Sequence, residues 1–131
     1  MFGKKKPPPI RSLIAHGSKI VGEVKFSDGM RIDGEVQGSI RAVEGSPSIL
    51  VISETAVVKG EVHAGHVIVN GRVEGPLHAT VLLELQPKAC IVGDVRYTAL
   101  EMHQGAVIEG QLHSLTATAE KTVLTLAANN G

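Results

Sequence analysis

A chain of 131 residues, 43% of them hydrophobic, has room for one domain with an ample core, and two Phe, one Tyr and no Trp make that core aliphatic. Thirteen basic and thirteen acidic residues cancel overall, but Lys4, Lys5, Lys6 and Arg11 leave the rest acidic, which with so few aromatic platforms disfavours nucleic acid as a partner. The single cysteine, Cys90, excludes an intramolecular disulfide framework, and no apolar run reaches the roughly 18 residues of a transmembrane helix, so the sequence reads as a cytoplasmic protein.

In chain order, residues 1–11 form a basic tail that ends in Pro7-Pro8-Pro9, which favours extended polyproline conformation over a sheet ladder. Residues 12–115 then repeat one five-residue signature six times: a β-branched residue, any residue, Gly, a polar residue, and Val or Leu. The six glycines are Gly22, Gly34, Gly60, Gly71, Gly93 and Gly110. A unit that recurs in this way buries its apolar face only against its own copies, so the domain is a solenoid.

Reading each repeat at every second position identifies the element. Four residues before the glycines stand Ser18, Met30, Ala56, Val67, Ala89 and Ala106, and two before stand Ile20, Ile32, Val58, Val69, Ile91 and Ile108. Two after come Val24, Val36, Val62, Val73, Val95 and Leu112, with largely polar residues between. Period-two alternation over about seven residues is the pattern of a half-buried strand. Glycine falls on the inward side, which predicts a corner where a narrowing interior has no room for a Cβ.

The glycines lie 12, 26, 11, 22 and 17 residues apart, so the gaps of 12 and 11 read as two corners of one turn. A coil of three short strands needs about 17–20 residues. The predicted architecture is therefore an all-β, single-stranded, right-handed parallel β-helix of about six coils between flexible N- and C-terminal tails. A small loop, Glu44-Gly45-Ser46-Pro47, lengthens one coil and reads as a tolerated insertion, with projection of a partner contact as the alternative. Residues 116–131 read as a mostly disordered tail, in which Val123, Leu124 and Leu126 leave a last strand open.

No arrangement suited to catalysis is found, and no cofactor, nucleotide or metal is expected. His63 and His66 have a three-residue spacing, which on a straight strand places them on opposite faces and argues against a shared ion. The six histidines read as solvated surface groups, and Cys90, in the outward register with no local base, as a structural thiol. Gly71-Arg72-Val73-Glu74-Gly75 is no phosphate loop, because further strand pattern follows it rather than a helix.

The run Ser12-Leu13-Ile14-Ala15-His16-Gly17-Ser18-Lys19-Ile20-Val21-Gly22-Glu23-Val24, followed by Arg31-Ile32-Asp33-Gly34-Glu35-Val36-Gln37-Gly38, resembles the opening of a bactofilin domain. Ala89-Cys90-Ile91-Val92-Gly93-Asp94-Val95-Arg96-Tyr97 and Gly105-Ala106-Val107-Ile108-Glu109-Gly110 resemble its closing coils, and Met1-Phe2-Gly3-Lys4-Lys5-Lys6 resembles its membrane-targeting tail. The resemblance covers about four-fifths of the chain. It implies a bacterial cytoskeletal scaffold that polymerises end to end, without nucleotide, into non-polar filaments at the inner face of the cytoplasmic membrane. Cell-wall synthases or hydrolases are the partners it implies. A C-terminal tail without proline departs from the family pattern.

The residues supply a mechanism for such assembly. No amphipathic helix long enough to cap either end of the β-helix is visible, so each terminal coil is expected to offer unpaired backbone and apolar interior to another copy. Leu13 and Ile14 at one end, with Leu112 and Leu115 at the other, are the expected polymerisation interface. Met1 and Phe2 would insert at the surface of anionic inner-membrane lipid at about 1.5–3 kcal/mol each, and Lys4, Lys5 and Lys6 would add about 1 kcal/mol each. That total, about 5–7 kcal/mol, corresponds to a Kd of roughly 10–200 μM, so firm attachment requires a polymer that displays many tails. The competing reading from another class is an acyltransferase of the left-handed β-helix type. Near-strict six-residue spacing is required there, and the observed gaps break it. A carbohydrate-active right-handed β-helix would need a longer chain with a carboxylate or aromatic cleft.

Overall fold

The computed structural model describes residues 8–116, which contain sixteen short strands and no helix. The first coil comprises β1 (Ile10–Ile14), β2 (Lys19–Val21) and β3 (Val24–Phe26), and the second β4 (Asp28–Ile32), β5 (Glu35–Gln37) and β6 (Ile40–Ala42). Then follow β7 (Ser48–Ile52), β8 (Val57–Lys59), the long β9 (Val62–Val69), β10 (Arg72–Glu74) and the long β11 (Leu77–Leu85). The chain continues through β12 (Cys90–Val92) and β13 (Val95–Tyr97) to a last coil of β14 (Leu100–Met102), β15 (Val107–Glu109) and β16 (Leu112–Ser114). Every pairing between them is parallel, and the result is a β-solenoid of six coils.

Three faces follow from the pairing. Face one stacks β1, β4, β7, β9, β11 and β14; face two stacks β2, β5, β8, β10, β12 and β15; face three stacks β3, β6, β9, β11, β13 and β16. Strands β9 and β11 serve two faces because each turns a corner: its first half lies on face three and its second half on face one. Strand β1 begins at Ile10, so Ile10 and Arg11, which composition assigned to the tail, belong to the first coil. Residues 1–7 and 117–131, including the membrane-targeting Met1, Phe2, Lys4, Lys5 and Lys6 and the open question of a last strand, lie outside the described residues.

The interior consists of columns of like residues. On face two, Val36, Val58, Val73 and Ile91 stack in register and are fully buried. On face one the sequence Ile32, Ile52, Val69, Leu85 does the same. Complete burial of such a side chain stabilises by about 1.5–3 kcal/mol, and both the coil below and the coil above supply the cover. A narrower column on face three, Ala42, Ala64 and Ala79, runs between Phe26 in the first coil and Tyr97 in the fifth. The loop predicted from Glu44 to Pro47 lies where expected, between β6 and β7, and lengthens the second coil.

The signature glycines divide between two corners, which explains their short gaps. Gly22, Gly60, Gly93 and Gly110 turn face two into face three, whereas Gly34 and Gly71 turn face one into face two. Two glycines outside the counted signature, Gly38 and Gly75, complete the first set, giving one glycine per coil in a continuous column. The reason for glycine differs from the narrowing interior inferred from sequence. At Gly93 the backbone has φ +146°, a region L side chains rarely adopt, and a Cβ there would lie 2.5 Å from the carbonyl oxygen of Gly75 in the coil beneath. What leaves no room is the backbone of the neighbouring coil, approached along the stacking axis. At the other corner a Cβ on Gly71 would meet the carbonyl oxygens of Ser53 and Ala56.

Candidate functional site

The two ends of the solenoid are where its repeating arrangement stops. At the far end, Met102 and Leu112 are interior residues by register, pairing with the fully buried Leu85 and Val95 of the coil below, yet each is 47% exposed. Ile108 and Leu100 complete this face as partly buried residues packed on the core. At the near end Ile20, in the same column as Val36, is 37% exposed. Ile14 and Phe26 lie deeper, each almost covered by its own coil and the second. Past β1 to β3 on one side and β14 to β16 on the other, the parallel ladders continue no further among the described residues. Each end thus presents aliphatic side chains framed by strand backbone with hydrogen-bonding capacity still to be met.

The sequence-derived interface residues separate on this geometry. Ile14 and Leu112 are inward residues of the terminal coils. Leu115 follows β16, donates its N–H to the Tyr97 carbonyl at 2.6 Å and stays 41% exposed beside the far end. Leu13 differs: it pairs with Arg31 in an outward column of face one, so it points sideways from the solenoid. The one-residue alternation of a strand decides this, and β1 fixes its register through an irregularity between Ile10 and Ser12. Met102, Ile20 and Ile108 belong to the end faces and were absent from the predicted interface. Their signal was present, since each occupies an inward slot of the first or last repeat.

The outer surface holds polar pairs. On face two Arg72 Nε lies 2.6 Å from Glu74, which holds the Glu74 carboxyl below and the Arg72 guanidinium above their ordinary values. Arg72 also reaches Cys90 Sγ at 3.3 Å, on the outward register predicted for that thiol. At the corner after face one, hydrogen bonds from Ser53 and then Arg31 lower the Asp33 carboxyl. Among the described residues no group of three or more His, Cys, Asp or Glu is disposed to hold a metal ion, and no helix is long and apolar enough to cross a membrane.

One histidine expectation is corrected. His63 and His66 both occupy outward positions, on faces three and one, because β9 turns a corner at Ala64–Gly65 and the alternation resets there. Burial of Gly65 and the one extra residue of β11, where Thr80 and Val81 stand opposite Gly65 alone, mark the turn. His66 Nε2 is buried and finds no hydrogen-bond partner among the described residues, while the His63 ring stacks on His78 with centroids 4.4 Å apart.

The model of the bactofilin family, described as polymer-forming cytoskeletal proteins, matches residues 12–113. Bactofilin BacO of Myxococcus xanthus is 30% identical over 98 residues, covering 73% of this chain and 75% of its own length. Bactofilin BacP of the same organism is 28% identical over 93 residues, covering 71% of this chain but only 37% of its own length. No solved structure matches the chain.

Proposed function

The chain belongs to the bactofilin family of polymer-forming cytoskeletal proteins, and from that premise we propose that it polymerises by stacking its open ends, without nucleotide, into membrane-associated filaments that localise cell-wall or other morphogenetic machinery. The observation that carries this reading is the exposure of Met102 and Leu112, interior residues by register that no further coil covers among the described residues. A second copy would cover them and continue the strand ladders, adding main-chain hydrogen bonds to apolar burial. When like ends meet, each contact is isologous and the filament has no polarity. Neither step calls for a bound nucleotide, because the complementary surface is permanent.

Attachment to the inner face of the membrane rests on sequence: Met1 and Phe2 beside Lys4, Lys5 and Lys6 make a weak anchor whose strength grows with the number of tails on one filament. Negative-stain microscopy of the purified full chain without nucleotide tests the assembly reading, which expects filaments; discrete monomers or trimers refute it. Co-pelleting of the polymer with phosphatidylglycerol vesicles tests the anchor, which is wrong if deletion of residues 1–6 leaves pelleting unchanged.

A further inference from the structure

On face three one outward column differs from every other. Lys25, Arg41, His63, His78, Arg96 and His113 stand in strict register, one per coil, from the first coil to the last. At about 4.8 Å per coil the row is about 24 Å long. The outward columns of face two mix signs: Lys19, Glu35, Val57, Arg72, Cys90 and Val107 form one of them. On face one, Arg31 shares its column with Val51, Ile68, Glu84 and Glu101. Like charges directly opposite on a ladder destabilise it, so a single-sign row calls for anions beside it.

The protein supplies those anions on one flank only. Two residues before the row, at the glycine corner, stand Glu23, Glu61 and Asp94 in alternate coils. Arg41 reaches Glu23 at 3.7 Å and Glu61 at 3.6 Å, and its Nη1 lies 3.2 Å from His63 Nδ1. Asp94 is turned elsewhere, its Oδ1 accepting the Gln111 N–H at 3.0 Å. Upward in the row, His78 is held below the ordinary histidine value by burial first, then by the charges of His63 and Arg96. Lys25, Arg41 and Arg96 thus place three cations along the row, with the histidine rings between them as further polar contacts.

The opposite flank sets apolar side chains among polar ones. The loop between β6 and β7 walls a dent of about 230 Å³ in which Val43, Pro47 and Val81 stand beside Ser46, Ser48 and Thr80, with Glu44 the one carboxylate on its rim among the described residues. Val43 and Val81 remain 50% and 61% exposed there. The short insertion thus makes a shelf beside the basic row.

We propose that the basic row and the dent together dock an extended acidic segment of a partner protein, its carboxylates on Lys25, Arg41 and Arg96 and an aliphatic side chain between Val43 and Val81. An extended chain advances about 3.3 Å per residue, so about seven residues span the row. Its successive side chains point to opposite sides, which sets acidic residues towards the row and aliphatic ones towards the shelf. A flat anionic membrane fits less well, because it would press on Glu23 and Glu61 as well as on the row. The proposal extends the scaffold reading to a class of partner, yet it needs only one copy of the chain.

The probe is a fluorescein-labelled eight-residue peptide of alternating Glu and Val, titrated with the full chain and followed by anisotropy. Expected is saturable, salt-sensitive binding that weakens at least tenfold in Arg41→Glu/Arg96→Glu and severalfold in Val81→Asp, with Arg31→Glu on face one unchanged. Thermal melts of each variant establish that the fold is retained. Repetition in a Leu112→Arg background separates docking from assembly, since binding persists there whether or not filaments form. Absence of binding, equal binding of a Lys/Val peptide, or indifference to the Arg41/Arg96 reversal overturns the proposal. So does loss of phosphatidylglycerol-vesicle pelleting in that variant with peptide binding intact, which would assign the row to lipid.

Discussion

Middle and terminal coils carry the same repeat and differ in what surrounds it. In one column of face two, Val36, Val58, Val73 and Ile91 are wholly buried, whereas Ile20 at the near end and Ile108 at the far end are not. On face three Val95 is fully buried, and Leu112, the next residue in its column, is half exposed. The burial of an inward residue is a property of its neighbours, so the sequence that makes an interior in the third coil makes an exposed apolar surface in the sixth.

The comparison is broken most severely at glycine. Gly93 and Gly22 occupy the same corner, both in the left-handed region, but a Cβ at Gly93 strikes the Gly75 backbone while one at Gly22 meets nothing within 4 Å. Gly93→Ala is expected to destabilise by about 3 kcal/mol or more as the coils are forced apart. Gly22→Ala should lose only about 1 kcal/mol, from the dihedral alone. Denaturant unfolding of the two variants measures the difference, and equal losses would remove the close coil contact from the explanation.

Truncation in the aliphatic column gives a smaller effect of the same kind. Ile91→Ala should cost about 2–5 kcal/mol, and Ile20→Ala less than about 1 kcal/mol, because its methyl groups are partly in water already. A near-end loss as large as the interior one would mean that Ile20 is covered in solution, and repeating the melt over a range of protein concentrations would reveal whether another copy covers it.

The smallest expected effect is electrostatic. The folded chain holds the His78 imidazole below its ordinary value, chiefly through burial and then through His63 and Arg96. An unfolded histidine takes up its proton near pH 6.5 while the folded one resists, so stability is complete above that pH and declines as pH falls towards the lowered value. Comparing melting temperatures at pH 7.5 and 5.5, the wild type should lose more than His78→Gln. An identical loss in both would place the pH dependence elsewhere.

Much of the fold was legible because a strand's inward positions recur every second residue: the residues two before and two after Gly34, Gly60, Gly71 and Gly93 are all fully buried. The gaps of 12 and 11 between glycines, read as lying within one turn, join different corners of successive coils: Gly22 and Gly60 fall in the first and third coils, Gly34 and Gly71 in the second and fourth. Gly38 and Gly75 escaped because the signature demanded Val or Leu after a polar residue, and these corners continue as Ser39-Ile40 and Pro76-Leu77. Less of the ends was legible. Which way Leu13 points depends on how β1 registers against β4, a long-range pairing that local alternation leaves undetermined. Part of the basic row was legible, since Lys25, His63, Arg96 and His113 each stand three residues after a signature glycine in one outward slot; Arg41 and His78 hold the same slot after Gly38 and Gly75, and joined the row only through the coil pairing.

In the proposed assembly the open ends, not the sides, are the joining surfaces. This is tested most directly by negative-stain microscopy of two full-length variants at equal concentration, Leu112→Arg at the far end and Val43→Arg on the side of face three. Both positions are about half exposed in one copy, so neither substitution buries a charge in the isolated fold. Leu112→Arg is expected to stop growth at short, folded species, whereas Val43→Arg forms filaments like the wild type. Long filaments from Leu112→Arg, or their loss in Val43→Arg alone, would contradict that assembly.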